Sequence, residues 1–211
     1  FVNKHKGLRS DTSINMDLRT IRTMLFFLKD MGEINDIPSF KRALKECPID
    51  DEEPIYITEV EFVNIINKDW LLLYTPKRNW YKEVFQLYWD LGARLSEPFL
   101  GTIKGNYLEI PKDKAKSRRA RSVRITPEQA LTINEMRRRW EEKNRTIDHI
   151  KNYSKVFKKA LRYCNIDESK HFHSLRHSYA WRRRLETNGN YQLVAKELGH
   201  KSVFVTEKYQ R

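Results

Sequence analysis

Two short stretches near the end of the chain carry residues whose types and spacing suit chemistry. HFHSLRHSYA places His173 and Arg176 at i and i+3, and LGHKSVFVTEKYQR places His200 nine positions before Tyr209. At that spacing His173 and Arg176 share one side of a helix expected to start near Ser174. A helix N-terminus already favours an anion, and a guanidinium with an imidazole there makes a seat for a phosphate. A tyrosine hydroxyl, with a pKa of about 10 in water, becomes a useful nucleophile only beside a base or a cation. Histidine supplies the first and arginine the second.

Two further stretches contribute. In LGARLSE, Gly92 is placed to end a helix, with Arg94 projecting from the turn and Glu97 three residues on. Read alone, an Arg–Glu pair of this kind is an exposed ion pair worth under about 1 kcal/mol. The connection KDKAKSRRARS holds Lys112, Lys114, Lys116, Arg118, Arg119 and Arg121, more positive charge than a hairpin tip needs, so contact with a phosphate backbone is the better reading. Any of its lysines can serve as a proton donor, and spacing does not say which. For His171 and His177 solvated surface is a competing reading. With His173 they imitate a zinc set, but i, i+2, i+6 does not bring three imidazoles to one helical face, and no cysteine or acid joins them. Taken together, arginines, histidines, a lysine and a tyrosine suit metal-free transfer of a phosphoryl group to an oxygen nucleophile, with the arginines neutralising the nonbridging oxygens.

Bulk composition agrees. Lys plus Arg number 41 against 28 acids, a formal net charge of +13, which points to a polyanion and first to nucleic acid. The longest apolar run, LLLY, is far short of the roughly 20 residues a membrane span requires, so no membrane is expected. Cys47 and Cys164 are too few for a disulfide scaffold and lack zinc or redox spacing, which fits a reducing cytoplasm. The chain begins at Phe1, as a trimmed fragment would.

The elements that must position these residues are mostly helical. Ile14, Leu18, Ile21, Leu25 and Leu28 recur at helical spacing, giving a first helix capped by Asp11 or Ser13 and stopped at Gly32. A short helix is expected in FKRALKE, and the acidic CPIDDEEP reads as a linker. YITEVEFVNIIN opens with Thr58 and Glu61 as a capping box. Trp80, Val84, Leu87 and Leu91 mark another helix, and NYLEIP and RSVRIT are short strands of a hairpin around the basic connection. Helices follow in TPEQALTINEMRRRW, IDHIKNYSKVFKKALRYCNI, HSLRHSYAWRRRLE and YQLVAKELG. The expected fold class is mainly α with a small antiparallel β-sheet (α+β), divided into 1–46, a linker at 47–55, and 56–211.

On these four motifs the chain resembles the tyrosine recombinases, or phage-integrase family. LGARLSE is similar to the family's first arginine motif, AKSRRARSVRI to its β-hairpin lysine motif with Lys116 in the lysine position, HSLRH to the H-x-x-R box, and LGHKSVFVTEKY to the closing box. The resemblance runs from about Tyr56 to the end, and residues 8–45 resemble the last helices of the family's core-binding domain. Departures are local. PFLGTIKGN, between Glu97 and Tyr107, is shorter than the family's usual passage into its first strands, with Pro98 directly after the acid. The family's C-terminal tail and the first half of its core-binding domain are not expected here.

The resemblance implies a tyrosine-recombinase catalytic fold and site-specific cleavage and rejoining of double-stranded DNA through a 3′-phosphotyrosyl link. The implied site is Tyr209 as nucleophile, Arg94 and Arg176 on the scissile phosphate, His173 as proton acceptor, His200 as hydrogen-bond donor and Lys116 as proton donor to the 5′-oxygen. No cofactor, metal or ATP is implied. The implied partners are a homotetramer on DNA, a monomer in solution and accessory DNA-bending proteins, in the cytoplasm at the nucleoid. A type IB topoisomerase is the alternative enzyme, although that family carries lysine where His173 stands, and a non-catalytic DNA-binding relative is the alternative outside enzymes.

Overall fold

A computed structural model describes residues 7–37, 54–69, 80–114 and 119–200. The chain divides into two compact units, Phe1–Glu52 and Glu53–Arg211. The short helix expected in FKRALKE and most of the linker lie outside the described residues.

In the first unit, α1 spans Asp11–Asp30 and buries Ile14 and Leu18 completely, while Ile21, Leu25 and Leu28 are half-buried. Its N-cap is Ser10, not Asp11 or Ser13: the Ser10 hydroxyl accepts the Ser13 amide at 3.3 Å. Ser10 is extended, as a cap must be, whereas Asp11 and Ser13 already lie within the helix. Gly32 stops the helix with a φ of +75°, its amide donating to Lys29 and that of Glu33 to Leu28.

The second unit is built around α3 (Trp80–Leu91), whose Trp80, Tyr81, Val84, Phe85, Leu87, Tyr88, Trp89 and Leu91 are all buried. Only the stripe of Glu83, Gln86 and Asp90 is exposed, so most of its circumference is apolar and lies in the core. It packs against α2 (Glu59–Asn67), α5 (Pro127–Glu142), α6 (Ile147–Tyr163) and α7 (Ser174–Glu186). Capping boxes open α2 at Thr58 and Glu61 and α5 at Thr126 and Gln129. Between α3 and α5 the chain makes α4 (Glu97–Leu100) and three strands, β1 (Thr102–Lys104), β2 (Tyr107–Ile110) and β3 (Arg121–Arg124). The short PFLGTIKGN passage therefore still supplies a first strand: Pro98 sits in the first turn of α4, where its missing amide costs nothing. The sheet is antiparallel in the order β1-β2-β3, with Thr102 opposite Glu109 and Ile110 opposite Arg121. Leu108 and Ile110 face the core.

Phe85, Tyr88, Phe157 and Phe172 meet edge to face at 4.7–6.1 Å between ring centroids. Phe172 thereby anchors the start of α7 into the core. A smaller cluster of Ala180, Val194 and Leu198 joins α7 to α8 (Tyr191–Leu198). The observed class is mainly α with a small antiparallel sheet, and among the described residues no helix is long and apolar enough to cross a membrane.

Candidate active site

The site begins where α3 ends. Gly92 has a φ of +57°, and a Cβ there would lie 2.5 Å from the Tyr179 ring, so both the turn and the close approach of α7 require glycine. The turn delivers Arg94, whose amide donates to Glu97 Oε2 at 2.6 Å and whose Nη1 donates to Oε1 at 2.9 Å. Tyr88 braces the same turn by donating its hydroxyl to the Leu95 carbonyl at 2.6 Å.

The structure corrects the reading of Arg94–Glu97 as an exposed pair. Glu97 is only 2% exposed, and two more guanidinium groups reach its carboxylate. Arg121 Nη2 on β3 donates to Oε2 at 2.5 Å, and Arg176 Nη1 stands 3.9 Å away. Burial by itself would raise the Glu97 carboxyl, but Arg121, the Arg94 amide and Arg176 outweigh it and hold the group below the usual carboxylate range. Arg121 is likewise corrected: expected among the phosphate contacts of the basic connection, it is buried, with its guanidinium on Glu97 and on the Glu197 carbonyl.

Arg176, 2% exposed, donates from Nη1 to the Gly92 carbonyl at 2.8 Å and from Nη2 to the Leu198 carbonyl. One side chain thus spans the end of α3 and the end of α8. His173 is the residue before α7, its position set by buried Phe172. The His173 ring meets His177 edge-on at 4.8 Å, so His177 is half-buried beside the site instead of solvated surface, while His171 is exposed. His200 follows α8 and Gly199, which has a φ of +65°, and the His200 amide donates to the Ala195 carbonyl at 2.9 Å.

The same two arginines, Arg94 and Arg176, perturb both His173 and His200. Partial burial, then His177, Arg176, His171 and Arg94, push the His173 imidazole down to about 3. His173 is nonetheless exposed, so solvent screens this crowding, which reduces the size of the downward shift and leaves its direction. Partial burial, then Arg176, Arg94 and Arg121, push His200 down to about 3 as well. His177 is lowered to about 4, by partial burial first and then by His171 and Arg176. Arg94 and Arg176 thus act on both imidazoles, which are neutral at neutral pH.

Lys112, Lys114 and Arg119 are exposed, at the two ends of the basic connection. Lys116, Arg118 and Tyr209 lie outside the described residues. The sequence reading missed Glu97, His177 and the inward role of Arg121. For Arg121 a signal existed: counting back by twos from Ile125, just past β3, through Val123 reaches position 121.

A mostly helical unit with a small three-stranded antiparallel sheet matches the architecture of a tyrosine-recombinase catalytic domain. The model of the phage integrase family matches residues 57–211, and the chain belongs to that family. It is classed as a tyrosine-type site-specific recombinase. No curated protein sequence matches it. Among solved structures it is similar to the Tn1549 transposon integrase in complex with a circular intermediate DNA, with a TM-score of 0.67 at 16% identity, over 98% of this chain and 76% of that one. It is also similar to a lambda integrase dimer bound to a COC′ core site, with a TM-score of 0.68 at 16% identity, over 100% and 62%. The XerH site-specific recombinase bound to difH substrate gives 0.51 at 17% identity, over 81% and 55%. At these identities the likeness is one of fold.

Proposed function

We propose that the second unit cleaves and rejoins duplex DNA at a specific site through a covalent link to Tyr209. The Tyr209 hydroxyl attacks the scissile phosphorus, the bond to the 5′-oxygen breaks, and Lys116 gives that oxygen its proton. The product is a 3′-phosphotyrosyl link and a free 5′-hydroxyl. Rejoining reverses the step on a second 5′-hydroxyl, so the energy of the phosphodiester is kept. Arg94 and Arg176 hold the nonbridging oxygens, His173 takes the tyrosine proton, and His200 donates a hydrogen bond to the phosphate. The observation that carries this reading is that Arg94 and Arg176 meet at buried Glu97 while the charge of each acts on the His173 and His200 imidazoles. It favours imidazoles that are neutral before DNA arrives, as a proton acceptor must be.

DNA bound to the integrases and to XerH supports duplex DNA as the partner of this chain too. Lys112, Lys114, Arg118 and Arg119 then serve as backbone contacts, and the working assembly is a homotetramer on DNA formed from monomers, with DNA-bending proteins as helpers, in the cytoplasm at the nucleoid. Residues 1–46 act as part of a core-binding domain, joined through 47–55 to the catalytic domain at 56–211.

The test uses nicked duplexes tiled across the DNA that flanks the gene. A detergent-resistant protein–DNA adduct is expected, absent in Tyr209→Phe; an adduct surviving that change overturns the assignment. With a sulfur in place of the scissile 5′-oxygen, Lys116→Ala should regain cleavage and Arg176→Ala should not. Affinity should fall with log salt at a slope of about −0.9 per phosphate contacted.

A further inference from the structure

Arg121 lies outside the set of residues that face the phosphate, yet three parts of the site meet on it. It starts β3, immediately after the basic connection. Its Nη2 reaches the Glu97 carboxylate at 2.5 Å, in the turn that carries Arg94. Its Nη1 donates to the Glu197 carbonyl in the last turn of α8, where helix carbonyls lack intrahelical partners and the macrodipole favours a cation. The side chain also lies against the turn that leads to His200: a Cβ on Gly199 would stand 2.9 Å from Arg121 Cδ. Two residues earlier, in the segment leading into β3, Arg119 Nη1 donates to the His200 carbonyl at 3.2 Å, a second tie to the same turn. The Arg121 side chain is 4% exposed, so these partners define its position and water does not replace them.

We propose that Arg121 is a positioning residue for strand cleavage, its buried guanidinium joining the Glu97 carboxylate to the Glu197 carbonyl so that the Arg94 turn and the His200 turn are held in register. Arg121 is out of reach of solvent and hence of a DNA backbone; it acts through Glu97 on Arg94 and through the end of α8 on His200. The connection that carries Lys116 ends on Arg121, and the segment that carries Tyr209 begins at His200. One side chain thus ties together the roots of the segments that supply acid and nucleophile. The role in cleavage rests on the proposed DNA reaction; the positioning of His200 does not.

Two variants separate a positioning role from a charge. Arg121→Met removes the fork, and Arg121→Lys keeps the charge but loses the planar two-point geometry. Single-turnover adduct formation and DNA affinity are measured on the duplex that gives the wild-type adduct, well below the lowest unfolding midpoint. Arg121→Met should slow the chemical step about 100-fold, the cost of a small misplacement of reacting groups, with half-saturation changed less than about threefold. Arg121→Lys should remain at least about tenfold slow. Equal loss of affinity and rate, or full speed in Arg121→Lys, overturns the proposal. A second arm needs no DNA: in long-range ¹⁵N–¹H spectra of the histidines, the His200 ring signals should move in both variants while those of exposed His171 stay. Unmoved His200 signals in a folded variant overturn the positioning role and leave the cleavage reading intact. Absence of any wild-type adduct overturns the cleavage reading instead. Should Arg121→Met fail to fold, Arg121→Lys carries both arms.

Discussion

Glu97 and Glu135 are each clasped by arginines, and the two arrangements are locally alike. Glu135 on α5 accepts from Arg138 Nε and Nη2 and from Arg139 Nε, all at 2.7 Å. Those hydrogen bonds hold its carboxyl down at about 2. Glu97 makes contacts of similar length. The difference is water: the Glu135 side chain is 30% exposed and its Arg138 partner 57%, whereas the Glu97 and Arg121 side chains are 3% and 4% exposed. An exposed pair is screened and loses side-chain entropy, so its net contribution is small. A buried group that loses its partner leaves an uncompensated charge out of water. The α5 cluster is a local feature of one helix surface, and the Glu97 cluster holds separate parts of the fold together.

The hardest test of that contrast is Glu97→Gln. Removing the carboxylate leaves the Arg121 and Arg176 guanidiniums buried without their counter-charge, and urea unfolding should show a loss of about 3–5 kcal/mol. A loss below about 1 kcal/mol would place Glu97 with the surface pairs.

Two glycines give a second paired test. Gly92→Ala, inside the buried region, meets both a left-handed backbone and the Tyr179 ring at 2.5 Å; Gly105→Ala, in the exposed hairpin turn between β1 and β2, meets a φ of +53° in open space. About 2–4 kcal/mol is expected for the first and about 1–2 kcal/mol for the second, measured by denaturant unfolding. Equal costs would show that the packing of Tyr179 on Gly92 contributes nothing.

Lowering the pH sharpens the comparison further. His173 and His200, at about 3, and His177, at about 4, have folded values below the ordinary 6.5. The unfolded chain therefore binds more protons than the folded one between those values. This stability is fully present above about 6.5 and is lost as pH falls toward the folded values. Glu97, also lowered in the fold, begins to lose its share only below its ordinary 4.5. The thermal midpoint should accordingly decline between pH 7 and 5, and His200→Gln should flatten that decline. A midpoint independent of pH across this range would mean that the imidazoles are neither desolvated nor crowded by the arginines.

The smallest effect is expected at Glu135→Gln, which should leave the unfolding midpoint within about 2 °C of wild type and adduct formation unchanged. A larger shift would remove the distinction between the two clusters.

Much of the scaffold is legible in the order of residues alone. The period of Trp80, Val84, Leu87 and Leu91 marks α3, the Thr58–Glu61 box marks the start of α2, and the alternation in NYLEIP and RSVRIT marks β2 and β3. The His173–Arg176 pair stands at the start of a helix as its spacing requires. These features are local, set by contacts within a few residues. The first cap is misplaced by sequence reasoning because Ser10, Asp11 and Ser13 are all competent capping types, and only the backbone angle of Ser10 separates them.

By itself the sequence determined the helices, the hairpin, the excess of positive charge and the order of the four motifs, because periodicity and residue chemistry are written along the chain. Only the tertiary structure decided which charges lose water. Arg121 meets Glu97 across 24 residues and Glu197 across 76, and Arg176 meets Gly92 across 84. No local pattern encodes those distances. The same Arg and Glu types are a solvated ornament on α5 and the framework of the candidate site beside α4, and burial, which depends on every element around them, makes the difference.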